Sequence, residues 1–372
     1  MVLFGYTVCT KTKKNFTEKD SQTGKVREPK AATTERFLHD MAKEIITRFT
    51  AQELQNFTNN YSIRLGSGGF GTVYQGRFRN GVKIAVKVLN RNPNSKKVEE
   101  QFMAEVGTIG RTYNINLVRL YGYCLDQQTS ALVYEYMENS SLDKLLFSNE
   151  TPQIELEKLQ EIAIGTAKAL AYLHEDCHQR IIHYDIKPGN ILLDLNFSAN
   201  VADFGLAKLC THVSSLSGYR GTPGYSAPEF LMHNYPITHK CDVYSFGMNT
   251  STDLGDSVDW FPKKAWEEYE KAGLKDLITA EMVERMIMVA LWCVQDSPSS
   301  RPLMSTVVKM LEGGVEILSP PNPFRYLYEH TGYVAGGTIG TNSYSTTTRT
   351  DSSQNENTTS LMREYEIQIA SS

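Results

Sequence analysis

Three stretches in the second half of the chain hold residue types able to move a phosphoryl group. Ile182-His183-Tyr184-Asp185-Ile186-Lys187-Pro188-Gly189-Asn190 comes first, Asp203-Phe204-Gly205 follows thirteen residues after Asn190, and Ala227-Pro228-Glu229 begins twenty-two residues past Gly205. Such a transfer needs a carboxylate to accept or orient the proton of an attacking hydroxyl, and Asp185 fits. It needs hard oxygen ligands to hold magnesium against phosphates, which suits Asn190 and Asp203. Lys187, two residues past the carboxylate, is placed to neutralise the travelling phosphate and favours Ser or Thr over Tyr as acceptor. Any one triplet occurs by chance; the ordered set argues against coincidence.

The first half carries the matching phosphate grip. Gly66, Gly68 and Gly71 form G-x-G-x-x-G, a spacing shared with dinucleotide folds and weak alone. Here Gly71 runs into Thr72-Val73-Tyr74, a β-branched and aromatic strand start rather than a helix, so the glycines belong to a hairpin that lets backbone close over phosphates. Lys87 ends Ile84-Ala85-Val86-Lys87, an apolar strand that implies burial, and a buried lysine needs an anion. Val98, Phe102, Val106 and Ile109 mark one face of a helix, and Glu105 borders that stripe, with Glu99 and Glu100 as rival carboxylates on the solvent side. Glu105 is the expected partner of Lys87.

The elements that must position these residues follow from periodicity. A short helix over Ala51–Phe57 is expected to pack on the following lobe, and strands over Ile63–Leu89 turn at Asn80-Gly81. Leu159, Ile162, Ala163, Thr166, Leu170 and Leu173 recur at three and four, giving a helix over Glu157–His174. The expected fold class is α+β and bilobal: an antiparallel sheet plus one helix in the N-lobe, and a mainly helical C-lobe. The expected divisions are a basic arm over 1–60, N-lobe and hinge over 61–137, C-lobe over 138–315, and a Ser/Thr/Asn-rich tail over 316–372. With 372 residues, 41% of them apolar, there is material for one large two-lobed domain. A net charge of −4 supplies no basic field for nucleic acid, which is not an expected partner. Residues 1–48 carry ten Lys/Arg against six Asp/Glu, a solvated linker or a membrane-surface contact. The six cysteines lie far apart, without metal-ligand spacing, and read as reduced thiols. The first ten residues are too short to span a bilayer and lack a secretory charge pattern, so the chain as given reads as soluble.

From about Phe49 to Leu327 the sequence resembles the kinase domain of plant receptor-like Ser/Thr kinases, in the group of rust-resistance and thaumatin-domain receptors where H-Y-D-I-K-P is familiar. The resemblance implies the protein-kinase fold, ATP and Mg2+ as cofactors and a protein as substrate. It implies that Tyr134 is the gatekeeper and that Glu135-Tyr136-Met137 form a hinge for adenine, which would lie between Val73, Ala85 and Leu192. By the same resemblance Glu229 pairs with Arg301, Asp242 holds the backbone of the His183–Asp185 loop, and Thr222 positions the substrate segment and Asp185. Full-length relatives have an ectodomain and one membrane helix upstream with this domain inside, so by resemblance the chain reads as their cytoplasmic part or a truncated product, and membrane association would come through such a segment.

Two departures from the family matter. Tyr184 stands where many kinases have arginine, and tyrosine cannot gather a phosphorylated loop, so phosphorylation at Thr211, Ser214, Ser215 or Ser217 should not be obligatory. Those hydroxyls are either regulatory or merely a polar loop. The helix entered at Asp242 breaks after Met248 into Asn249-Thr250-Ser251-Thr252-Asp253, poor helix formers at positions expected to be buried. An unpaired Asn249 or Asp253 there would cost several kcal/mol. The break reads as missing coding sequence or as a real variant with a weakened C-lobe. An active Ser/Thr kinase is therefore the leading reading and a catalytically weak nucleotide-binding scaffold the alternative; a small-molecule kinase leaves the Gly221–Glu229 segment without a purpose.

Overall fold

β-Branched and aromatic runs in the first part of the chain pair into a six-stranded sheet, and the later apolar stripes at helical spacing form helices beneath it. The computed structural model describes residues 46–69, 71–90, 96–126, 128–147, 154–210, 221–232, 235–249 and 281–323. The elements of the N-lobe are β1 (Thr47–Arg48), α1 (Ala51–Phe57), β2 (Arg64–Gly68), β3 (Gly71–Arg77), β4 (Lys83–Leu89), α2 (Lys96–Thr108), β5 (Leu120–Leu125) and β6 (Ser130–Glu135). The sheet order is β1-β5-β6-β4-β3-β2. All pairings are antiparallel except β1 with β5, which is parallel and extends the antiparallel sheet expected from sequence by one short strand.

Helix α1 forms because Thr50 caps it: its hydroxyl accepts the Glu53 N–H while the Glu53 carboxylate accepts the Thr50 N–H, a capping box. Leu54 is the one fully buried residue of α1, packed against Ile84, Val86, Ala131 and Val133. Those positions alternate along β4 and β6, so Ala85 and Lys87 point to the opposite face, toward the interlobe cleft. Phe49, Phe57 and Phe78 close the edge with ring centroids 5.2 to 5.8 Å apart. Gly122 makes this closure possible. A Cβ there would lie 2.1 Å from the Thr47 carbonyl oxygen and 2.6 Å from the Phe49 ring. Gly122→Ala is expected to push β1 off the edge at about 2 kcal/mol, read in thermal unfolding as a Tm lower by ~4–8 °C. An unchanged Tm would mean that β1 contributes nothing to the lobe.

The C-lobe continues with α3 (Leu142–Phe147), α4 (Leu156–Ala171), β7 (Arg180–Ile182), β8 (Ile191–Leu193), β9 (Ala199–Val201), β10 (Lys208–Cys210), α5 (Glu229–Met232), α6 (Lys240–Asn249), α7 (Glu281–Cys293) and α8 (Met304–Leu311). Helix α4 buries Ile162, Ala163, Thr166 and Leu170, the stripe read from sequence, and runs into a π-helical turn at Tyr172–Asp176. Helix α6 buries nearly every residue and crosses α7. Trp292 is fully buried and donates from Nε1 to the Leu318 carbonyl at 2.9 Å. Cys124, Cys177, Cys241 and Cys293 are thiols; burial pushes Cys293 up to about 12, so it stays protonated. No helix among the described residues is long and apolar enough to cross a membrane.

Candidate active site

Strand β7 delivers the chain to the site, and a buried carboxylate fixes the main chain where the strand ends. Asp242, in the first turn of α6, accepts the main-chain N–H groups of His183 and Tyr184, each at 2.8 Å. Tyr184 takes a left-handed conformation, φ 67°, and packs its buried ring against Phe230 of α5. Burial alone would raise the Asp242 pKa, but His174 and His183 outweigh it and hold the group below the usual carboxylate range. His183 ties this loop to the next: its Nδ1 accepts the Asp185 N–H at 3.2 Å, its Nε2 donates to the Ala202 carbonyl at 3.0 Å, and its ring meets Phe204 edge-on at 4.7 Å.

Asp185, Lys187, Asn190 and Thr222 converge. Lys187 Nζ lies 2.8 Å from Asp185 Oδ2, Asn190 Nδ2 donates to the same oxygen at 3.0 Å, and Thr222 Oγ1 donates to Asp185 Oδ1 at 2.6 Å. Lys187 Nζ also donates to Thr222 Oγ1 at 2.8 Å. Asn190 Nδ2 further donates to the Asp185 carbonyl at 2.8 Å, so the amide hydrogens are committed and Oδ1 is the end available to a cation. Both Asp185 oxygens therefore sit in a closed ring of donors.

Lys87 joins the lobes. Its Nζ lies 2.7 Å from Glu105 Oε1 and 2.8 Å from Asp203 Oδ1. Glu99 and Glu100 are exposed, so Glu105 is the partner the helix presents. Burial would lower the Lys87 pKa, yet the two carboxylates override it and raise the pKa. Asp203 is held below its ordinary value because Lys87, with help from His183 and Lys187, overcomes its own desolvation. Burial raises Glu105 in spite of Lys87.

Tyr134 adds what the sequence did not reveal: its hydroxyl donates to Glu105 Oε2, on the oxygen Lys87 leaves. Burial and the Glu105 charge push the phenol well above its ordinary value, so it remains a donor. Tyr134→Phe removes one hydrogen bond to a charged group, worth ~1.5–3 kcal/mol. A fall in kcat/KM of about tenfold or more is expected. Unaltered kinetics would show that Lys87 alone sets the position of Glu105.

The glycine hairpin and hinge complete the cleft. Gly66 and Gly68 have open space where a side chain would be, whereas a Cβ on Gly71 would lie 2.3 Å from the Val88 carbonyl oxygen. Val73 pairs with Lys87 across β3 and β4, Ala85 pairs with Tyr134 across β4 and β6, and Leu192 lies on β8. Glu135 and Met137 line a pocket of about 230 Å³ with Tyr113, Arg119 and Asp194.

Below the site, Arg301 and Glu229 form a fully buried two-bond pair at 2.8 and 2.9 Å. Asn249 is buried, as expected, but not unpaired: Nδ2 donates to the Ser245 carbonyl at 2.5 Å and the Ile186 carbonyl at 3.3 Å, and only Oδ1 lacks a partner. Thr211, Ser214, Ser215, Ser217 and Asp253 lie outside the described residues, as do the arm before Ile46 and the tail after Pro323.

Comparison with known proteins agrees with this geometry. Residues 60–311 match the family described as protein kinase domain. The chain is 42% identical over 316 residues to the rust resistance kinase Lr10 of Triticum aestivum, covering 78% of this chain and 49% of that protein. It is 46% identical over 298 residues to the G-type lectin S-receptor-like serine/threonine-protein kinase At5g24080 of Arabidopsis thaliana, covering 74% and 34%. Against the PR5-like receptor kinase of the same plant it is 39% identical over 316 residues, covering 78% and 47%. The chain thus spans half or less of these relatives' length. With the family's sequence over two thirds of its residues and Lys87, Glu105, Asp185 and Asp203 gathered at one cleft, the chain belongs to the protein-kinase family, among relatives that are receptor-like serine/threonine kinases of plants.

Proposed function

We propose that this chain transfers the γ-phosphate of ATP, with magnesium, to Ser or Thr hydroxyls of protein substrates in receptor-type plant signalling. The observation that carries the reading is the double engagement of Lys87 by Glu105 and Asp203, which aligns the two lobes over the closed donor ring on Asp185. Gly66–Gly71 cover the phosphates, and the hinge main chain at Glu135–Met137 reads adenine between Val73, Ala85 and Leu192. Lys87 orients the α- and β-phosphates. The Oδ1 of Asn190, whose amide hydrogens are already committed, and the quarter-exposed carboxylate of Asp203 suit a hard divalent cation, and would hold magnesium. Magnesium when bound neutralises charge on the phosphate oxygens. Asp185 orients the incoming hydroxyl and takes its proton, while Lys187 and Thr222 fix the carboxylate and offset developing charge.

Tyr184 supports independence from loop phosphorylation, because its ring is packed in the core with Phe230 instead of offering a cation to a phosphate. The scaffold reading keeps one observation, the partnerless Oδ1 of Asn249 at the end of α6. Lys87→Met separates the two. Transfer to a generic basic protein should fall by ~10²-fold or more, since one removed electrostatic group costs on that order, while the fold persists. Full activity in Lys87→Met would sink the assignment; wild-type nucleotide binding without transfer would favour the scaffold.

A further inference from the structure

Asp242 is served from behind by side chains that phosphoryl transfer does not use. His174 lies in the π-helical turn after α4, its side chain fully buried, with Nε2 2.9 Å from Asp242 Oδ2. That carboxylate is an acceptor at both oxygens, so a hydrogen is on His174 Nε2, and in the neutral ring Nδ1 is the lone-pair nitrogen. His174 Nδ1 is buried and has no hydrogen-bond partner. The ring of His239 stands edge-on to it, centroids 5.2 Å apart. Arg180 approaches His239 Nδ1 at 3.2 Å, and a guanidinium has only hydrogens to offer, so the His239 hydrogen is on Nε2. His239 Nε2 is likewise buried without a partner. Adjacent rings thus carry one unmatched donor and one unmatched acceptor.

We propose that one buried water joins His239 Nε2–H to His174 Nδ1, and that Arg180 and His239 are positioning residues for Asp185, acting through His174, Asp242 and the main chain of His183 and Tyr184. Such a water accepts from one histidine and donates to the other, meeting both needs that burial makes costly. Arg180 reinforces the arrangement, since its Nε also donates to the His174 carbonyl at 2.7 Å. The charged groups around the pair are Arg180, Lys240 and Asp242. Burial, then His174, Arg180 and Lys240, push His239 down to about 3, so its ring stays neutral and keeps an acceptor for Arg180. The effect reaches the reaction because Asp242 fixes the two N–H groups that precede Asp185. The positioning role rests on Asp185 being the reacting carboxylate; the bridge does not.

The test uses the full chain labelled with 15N-histidine, comparing wild type, His239→Leu and His239→Gln by ring-nitrogen NMR and by kcat and KM for ATP. In wild type His174 Nδ1 should give the signal of a hydrogen-bonded lone-pair nitrogen. In His239→Leu that signal should move to the unbonded position, with kcat lowered ~10-fold, about one hydrogen bond's worth, and KM unchanged. His239→Gln, whose amide can donate to the same water, should restore both. A His174 signal indifferent to His239→Leu overturns the bridge. A shifted signal with unaltered kcat, or a kcat loss that glutamine does not repair, overturns the positioning role. Ring signals are read without turnover, so an inactive wild type would remove the kinase reading while leaving the bridge to stand or fall by NMR.

Discussion

Asp185→Asn is expected to leave Mg·ATP binding nearly intact and to lower phosphate transfer by about 10²–10⁴-fold, the range of a lost general base. Three donors already point at the carboxylate: Lys187 Nζ and Asn190 Nδ2 at Oδ2, and Thr222 Oγ1 at Oδ1. An asparagine amide can satisfy only one side. If its oxygen takes the Oδ2 place, its NH2 faces the Thr222 hydroxyl, which then turns to give up its hydrogen elsewhere. If it flips, the NH2 faces Lys187 Nζ and Asn190 Nδ2, which have only hydrogens to offer. Either way the basic oxygen is gone and the Thr222–Lys187 contact is disturbed, while Lys87, Glu105 and Asp203 are untouched. The measurement pairs the Mg·ATP-induced rise in Tm with initial transfer rates. A rise in Tm like that of wild type with transfer near background supports the assignment. Equal loss of both would count against Asp185 as the base, and retained transfer would place the base elsewhere.

The parts of this site legible in the sequence are those whose chemistry is local or whose geometry is fixed by one element. Glu105 could be preferred over Glu99 and Glu100 because a single helix face decides exposure, and only Glu105 borders the apolar stripe through Phe102 and Val106. The Asp185–Lys187–Asn190 group was legible because six consecutive residues of one loop carry it. Contacts between distant elements left no such mark. Tyr134 reaches Glu105 across twenty-nine residues, from near the end of a strand whose pattern predicts only an aromatic in the core. His174 and His239 are each unremarkable in sequence, one in the turn after α4 and one just before α6. Their meeting depends on how the fold brings the end of α4 to the start of α6. Asn249 marks the limit of a propensity argument. Its side chain looked stranded at a buried position, yet α6 supplies the Ser245 carbonyl one turn back and the loop after β7 supplies the Ile186 carbonyl. The strand Thr47–Arg48 was hidden for another reason, since two residues are too few to show a period of two.

Arg301→Leu is expected to be the most damaging single change outside the chemistry, about 3–5 kcal/mol, because it strands the buried Glu229 carboxylate. Domain stabilities are about 5–15 kcal/mol, so the Tm should fall by ~10 °C or more. The guanidinium also donates to the carbonyls of Gln295, Lys240 and Asp296 at 2.8, 2.9 and 3.0 Å and lies 5.0 Å over the Tyr244 ring. The loss therefore has two parts, an unpaired charge and three carbonyls deprived of a donor. Glu229→Gln also leaves a buried charge without its counter-ion, that of Arg301, but three carbonyls still accept from the guanidinium, so it should cost least. The double change Glu229→Leu with Arg301→Leu removes the unpaired charge but not the carbonyl deficit, and should fall between the two single variants. Thermal unfolding of the three ranks them. A double variant no more stable than Arg301→Leu would mean that the carbonyls, not the carboxylate, are what Arg301 serves, and that the pair to Glu229 is incidental to the joint between α5 and the last helices.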